Sequence, residues 1–252
     1  MLGQLIWWSS IALEMVLLVR GLQNRLAYRL PVFYSYIAFV LFQDLVRLAT
    51  FQWERGFYKP VYWSTEFLSL PIGSLVVFEI YKVSLAAYPG AARMARNALA
   101  VVFLIALVKG LFDATSAFPV WQSETAAPEI ERTLRLVQGT AILALVALFL
   151  LYSIPFGRNL RGVLLGYGLF VGMRVICLTF VSLQKHNFWF YAYSASYMGA
   201  LSLWLVHLWS YQPSPQPRSD RPDLDDEYRK IAAETQRWLQ AMRGYLRKTV
   251  RS

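Results

Sequence analysis

Cysteine and histidine are almost absent from this chain of 252 residues, which carries one cysteine, Cys177, and two histidines, His186 and His207. A lone cysteine excludes an internal disulfide, and nothing in the sequence has the Cys/His spacing of a metal site. The two histidines fall at opposite ends of one apolar segment, so a histidine-centred triad is excluded as well. There is no H-E-x-x-H, no G-x-S-x-G and no glycine loop that could cradle a phosphate. No cofactor and no metal are expected, and the reading leans away from an enzyme. Charge is also scarce. Only 16% of the residues are Asp, Glu, Lys or Arg, where a soluble domain carries about a quarter.

Apolar residues take the place of the missing charge. They make up 57% of the chain and gather in runs of bilayer-crossing length, about 20 residues each. Seven such runs can be read, at residues 2–22, 31–53, 60–81, 97–118, 133–154, 162–184 and 188–211. Lipid offers the backbone no hydrogen-bond partners, so each run must satisfy its own groups as a helix. The first run has no basic start, contains Glu14 and lacks a small-x-small cleavage site, so it is expected to be a retained span. Arg20, Arg25, Arg29, Lys82, Arg93, Arg96, Arg158 and Arg161 collect in alternate turns, which the positive-inside rule assigns to the cytoplasm. Trp53, Trp63, Trp121 and Trp189 fall at the opposite interface.

The expected fold is therefore all-α, a polytopic membrane protein of seven transmembrane helices over residues 1–211, N-terminus out and C-terminus in. The expected location is the inner (plasma) membrane of a bacterium. The net charge of +10 then reflects topology and attraction to anionic lipid heads, and nucleic acid is not an expected partner. After the last run comes a Pro-rich linker, "QPSPQPRSDRPD", residues 212–223. Residues 224–252 read as an amphipathic cytoplasmic helix, with Leu224, Tyr228, Ile231, Trp238, Met242 and Tyr245 on one stripe. Trp238, Met242 and Tyr245 suit the membrane interface, and the same stripe suits a cytoplasmic or membrane protein partner.

Two further patterns concern packing. Gly162/Gly166 and Gly168/Gly172 are small-xxx-small pairs, as are Ala192, Ser196 and Ala200, and they are expected to bring helices of one chain close together. "KPVYWSTEFLSLPIG" and "KHNFWFYAYSASYMG" share Lys, an aromatic, Trp and Gly at equal offsets. A three-plus-one-plus-three duplication predicts such a match, and so does any pair of outer interfacial belts, which is the reading preferred.

The remaining signal is charge inside the apolar runs. Glu79 lies one turn from a basic end beside Lys82, and is read as a surface ion pair. Glu66 lies deeper, and Asp44, Arg47, Lys109, Asp113 and Arg174 share its depth. Asp44/Arg47 and Lys109/Asp113 have i,i+3 and i,i+4 spacing, and Asp113 keeps Lys109, the one lysine well inside a run, charged rather than nucleophilic. Buried charges are costly and mark function by default, so these six form a ligand-binding pocket or a neutral charge network that holds the helices together. Pro71 could kink the third run just below Glu66 and widen such a pocket. Glu14, near the middle of the first run, is a proton-coupling group or a hydrogen-bond partner for a neighbouring helix.

The layout resembles bacterial seven-helix sensor modules and, equally, small three-plus-one-plus-three transporters, which is an analogy of fold alone. The first reading is a sensor that binds a small ligand in an outward-facing polar pocket and signals through a partner protein. The alternatives are a small-solute or proton-coupled transporter and a structural subunit of a membrane complex. A water path past Glu14 favours transport, and a pocket closed below favours sensing.

Overall fold

The computed structural model describes residues 2–86, 88–117, 123–152, 157–181 and 187–212, with only Lys230, Ala233, Glu234 and Arg237 beyond them. Among these residues there is no strand. The helices are α1 (Leu2–Gln23), a short α2 (Leu26–Arg29), α3 (Pro31–Trp53), α4 (Tyr58–Ser84), α5 (Pro89–Ala117), α6 (Ser123–Tyr152), α7 (Arg158–Val181) and α8 (Asn187–His207). A 3-10 turn, Arg55–Phe57, joins α3 to α4. Four stretches among the described residues are long and apolar enough to cross a membrane: Gly3–Gln23, Pro31–Trp53, Arg55–Ser84 and Arg158–Phe180. Large apolar side chains such as Phe42, Leu104, Leu143 and Leu165 lie on the outside of the bundle, as lipid-facing helices require. The linker 213–223 and the stripe that includes Trp238, Met242 and Tyr245 lie outside the described residues.

The helix α4 runs through the middle of the bundle, touching α3, α5, α6 and α7, while α1 closes the ring between α3 and α8. One half of the interior is apolar. Phe33, Ile37, Val76, Ile80, Leu164 and Trp204 are buried there, and Phe33 meets the edge of Trp204 with ring centroids 5.1 Å apart. Where α7 meets α8, Gly162 lies against His207 and Gly166 against Trp204, so closely that a methyl group at either glycine would overlap the facing ring. The Gly162/Gly166 pair thus acts within one chain. Gly172 has open space around its Cβ position.

Glu79 corrects the expectation of a surface ion pair. It is buried, and its carboxylate accepts hydrogen bonds from the backbone N–H of Val32 at 2.9 Å and of Phe33 at 2.7 Å. Pro31 opens α3 and has no N–H to offer. The next two N–H groups, that of Val32 partly buried and that of Phe33 buried, have no partner within the first turn of the helix. A carboxylate delivered from α4 caps them and faces the positive end of the α3 dipole.

The end of the bundle that carries Arg20, Arg29 and Arg158 is pinned around the exit of α8. Asn159 donates to the carbonyls of His207 and Ser210, both at 2.8 Å, and accepts from the N–H of Gln212 at 2.7 Å. Arg158 donates to the carbonyl of Val206 at 3.1 Å. The Arg20 guanidinium stacks 3.7 Å above Trp209, and Arg29 donates to the Tyr211 hydroxyl at 2.7 Å. These contacts satisfy the orphan carbonyls at the end of α8 and fix the chain as far as Gln212.

Candidate functional site

At the opposite end the helices part around a cavity of about 890 Å³. Its walls come from the start of α1, α3 from Tyr36 to its end, the 3-10 turn, the start of α4, and facing turns of α6, α7 and α8. Charged and hydroxylated side chains line it next to aromatic ones. Of the six residues picked out by depth, Asp44, Arg47, Glu66 and Arg174 line this one cavity. Lys109 does not line it and is exposed on α5. Its neighbours explain why. Ala106 and Gly110 are buried, Gly110 with its Cβ position 3.5 Å from Ile130 of α6. A helix turns about 100° per residue, so Lys109 lies to one side of that contact. The side chain of Asp113 lies outside the described residues.

Glu66 is the centre of a buried ion network. Its carboxylate meets Arg47 at 2.9 Å, Arg135 at 3.5 Å and Arg174 at 3.7 Å. A second acid, Glu131, accepts two hydrogen bonds from Arg174, from Nε at 2.6 Å and Nη2 at 2.8 Å, and lies 3.6 Å from Arg135. Bidentate pairs of this kind fix geometry as well as charge. Each guanidinium also lies over a ring: Arg47 over Tyr62 at 4.2 Å, Arg174 over Tyr193 at 4.4 Å and Arg135 over Phe170 at 5.0 Å. Arg47 adds bonds to the Thr65 hydroxyl at 3.0 Å and the Tyr62 carbonyl at 3.1 Å. Below this layer, Gln138 donates to Ser74 at 3.1 Å and Tyr167 donates to the Gly73 carbonyl at 2.7 Å, close to Pro71 inside α4.

Glu131 and Arg135 escape the sequence reading, which leaves Glu131 in an outer loop and Arg135 at the start of a span. In the structure α6 begins at Ser123, ten residues before that predicted span. Ile130, Glu131, Leu134, Arg135, Gln138, Ala141, Ile142 and Leu145 are all buried. Their three-and-four spacing is one continuous inward stripe. The periodicity was the available signal, and it holds across the polar residues as well as the apolar ones.

Asp44 does not pair with Arg47, despite the i,i+3 spacing, because Arg47 reaches across to Glu66 on α4. Among the described residues Asp44 has no ion pair. It lines the cavity one helical turn nearer the bundle middle than Arg47. Gln43 also lines it, donates to Glu66 at 3.3 Å, and keeps a buried Oε1 with no partner. One turn inward from the cavity-lining Ser10 lies Glu14, fully buried. Its Oε1 accepts a hydrogen bond from the Tyr197 hydroxyl at 2.5 Å, and its Oε2 has no partner. Tyr197 itself lines the cavity. Among the described residues no cluster of His, Cys, Asp and Glu has a metal-holding arrangement. Compared with known proteins, the chain matches no family model, no curated protein and no solved structure.

Proposed function

We propose that this chain is a membrane receptor module of seven spans, with α1, α3, α4, α5, α6, α7 and α8 crossing a bacterial inner membrane. In this reading the N-terminus is outside and the cavity opens outward. A small ligand binds there, and the tail after Gln212 meets a partner protein on the cytoplasmic side.

The observation that carries the reading is a roomy cavity, walled by charged and aromatic side chains, standing on a packed apolar half. Its volume lies within the range of small-molecule pockets. Beneath it Leu17, Phe33, Ile37, Leu201 and Trp204 are buried against one another, which favours a ligand that enters and leaves on one side. The route for a signal is α8. Tyr193 and Tyr197 line the cavity, and the end of the same helix is clamped by Arg158 and Asn159 where the tail departs. A ligand that shifts α8 against α1 or α7 would alter that clamp, provided it binds the two arrangements with different affinity.

Transport is the second reading. It is favoured by Glu14, a buried carboxylate with one free oxygen linked to the cavity through the Tyr197 hydroxyl. The two readings separate in one experiment. The full chain, in detergent and in proteoliposomes, is screened against a panel of charged and neutral small solutes. A receptor shows solutes that raise the melting temperature but are not accumulated by counterflow. Saturable counterflow of a stabilising solute overturns the receptor reading. A panel with no stabilising solute points to a structural subunit.

A further inference from the structure

The charged side chains of the cavity are unequal in number. Among the described residues, Arg47, Arg55, Arg135 and Arg174 line it, against Asp44 and Glu66. Glu131 lies behind the lining, bound to Arg174 and beside Arg135. With it included, the acids are still one short of the arginines. Glu14 adds nothing to the balance. It is fully buried, makes no ion pair among the described residues, and is neutral, as a carboxyl taken out of water without a counter-charge must be.

What the inner cations leave unused is donor capacity. Arg47 spends Nε on the Thr65 hydroxyl, and Nη2 on the Tyr62 carbonyl and Glu66. Arg174 spends Nε and Nη2 on Glu131, and Nη2 also reaches the Tyr62 hydroxyl at 3.5 Å. The Nη1 of each makes no hydrogen bond among the described residues, and neither is among the polar atoms sealed away without a partner. Both side chains are 10% exposed and line the cavity, so that remaining exposure is toward it. Glu66 spans the pair, at 2.9 Å from Arg47 and 3.7 Å from Arg174, which places both spare donors in one corner. The spare acceptors behave differently. Oε1 of Gln43 and Oε2 of Glu14 are sealed from the cavity, and Asp44 lies one helical turn inward of Arg47.

On the reading of this cavity as a ligand pocket, we infer that its ligand is a small organic monoanion, a carboxylate on an apolar body. The carboxylate takes the spare N–H groups of Arg47 and Arg174, the charge-assisted bonding that guanidiniums favour. The body lies between aromatic walls that include Trp7, Phe51, Tyr58 and Tyr193. Arg55, exposed at the rim over Phe51, supplies the positive field that draws an anion inward. A bare inorganic anion does not fit this description, since a cavity of about 890 Å³ has the size of an organic ligand's pocket.

The test uses three probes of similar size and different charge: 3-phenylpropanoate, 2-phenylethanol and phenethylamine. Each is titrated at neutral pH into the detergent-solubilised full chain, with melting temperature and calorimetry as readouts and sodium chloride as the inorganic control. The propanoate is expected to stabilise saturably, and the alcohol, the amine and the salt to do little. Arg47→Lys keeps a cation beside Glu66 but removes the spare Nη1, and is expected to weaken the propanoate by roughly tenfold or more, the loss of a charge-assisted hydrogen bond. Asp44→Asn removes a like charge from the lining and breaks no ion pair, so it is expected to fold and to bind the propanoate several-fold more tightly. This second variant keeps the inference testable where Arg47→Lys fails to fold. Stabilisation by the amine or the alcohol instead of the propanoate overturns the inference and leaves the pocket reading standing. Stabilisation by sodium chloride alone overturns it as well. Unchanged affinity in a folded Arg47→Lys protein, or an Asp44→Asn protein that binds the propanoate no better, overturns it too. Silence from all three organic probes also overturns it, and the pocket reading then depends on the wider solute panel.

Discussion

Glu66 touches three guanidiniums in a place that water hardly reaches, and that decides what its loss would do. Removing one member of a buried ionic cluster strands the others, at about 3–5 kcal/mol, well beyond the cost of an exposed pair. Glu66→Gln leaves Arg47, Arg135 and Arg174 with Glu131 alone, and is expected to lower the melting temperature in detergent by several degrees. Arg135 is the most buried of the three cations, so Arg135→Met in the Glu66→Gln background should recover part of the loss. An additive double mutant, or a silent Glu66→Gln, would show that the network contributes no stability. Gly166 offers a purely steric comparison. Its Cβ position overlaps Trp204, so Gly166→Ala should cost about 1–3 kcal/mol by overpacking, with Trp204→Leu restoring much of it.

Among the elements, α4 and α6 show how much of this arrangement could be read in advance. Glu66 and Arg174 announce themselves because a charge inside an apolar run has few explanations in a bilayer. Glu131 and Arg135 sit four residues apart in a stretch rich in Glu and Arg, "EIERTLR", which hydropathy assigns to water. Only their position on the stripe from Ile130 to Leu145 reveals that they face inward. Glu79 is obscured for a different reason. Its partner is the bare N-terminus of α3, 46 and 47 residues away in the chain, and backbone N–H groups carry no sequence signature. Pairing across helices is equally hidden, since Arg47 prefers Glu66 on α4 to the nearer Asp44 on its own helix. At the other end, the clamp made by Arg158 and Asn159 closes at Gln212. Deleting residues 224–252 should therefore leave a folded bundle that still inserts and melts within a few degrees of the full chain. Failure to recover the truncated protein from membranes would make the tail part of the core.

At the scale of the whole molecule the question is which end faces out. The basic end holds Arg20, Arg29 and Arg158 together, around Trp209 and Tyr211, and excess Arg and Lys marks the cytoplasmic side. The cavity lies at the other end, so orientation and function are tied. A receptor for external solutes needs the cavity outside. The chain's single cysteine, Cys177, is buried, and replacing it by serine gives a background with no thiol. Two exposed sites then report the two ends: Trp53 at the cavity rim, 82% exposed, and Tyr28 near the basic end, 80% exposed. In intact cells a membrane-impermeant maleimide should label the Trp53→Cys protein and spare the Tyr28→Cys protein until the membrane is opened. Both proteins must label equally after lysis, which controls for local reactivity. The reverse pattern would turn the cavity toward the cytoplasm, and a module that samples external solutes would no longer be tenable. The ion network and the clamp would survive that result unchanged, because neither depends on which side the cavity faces.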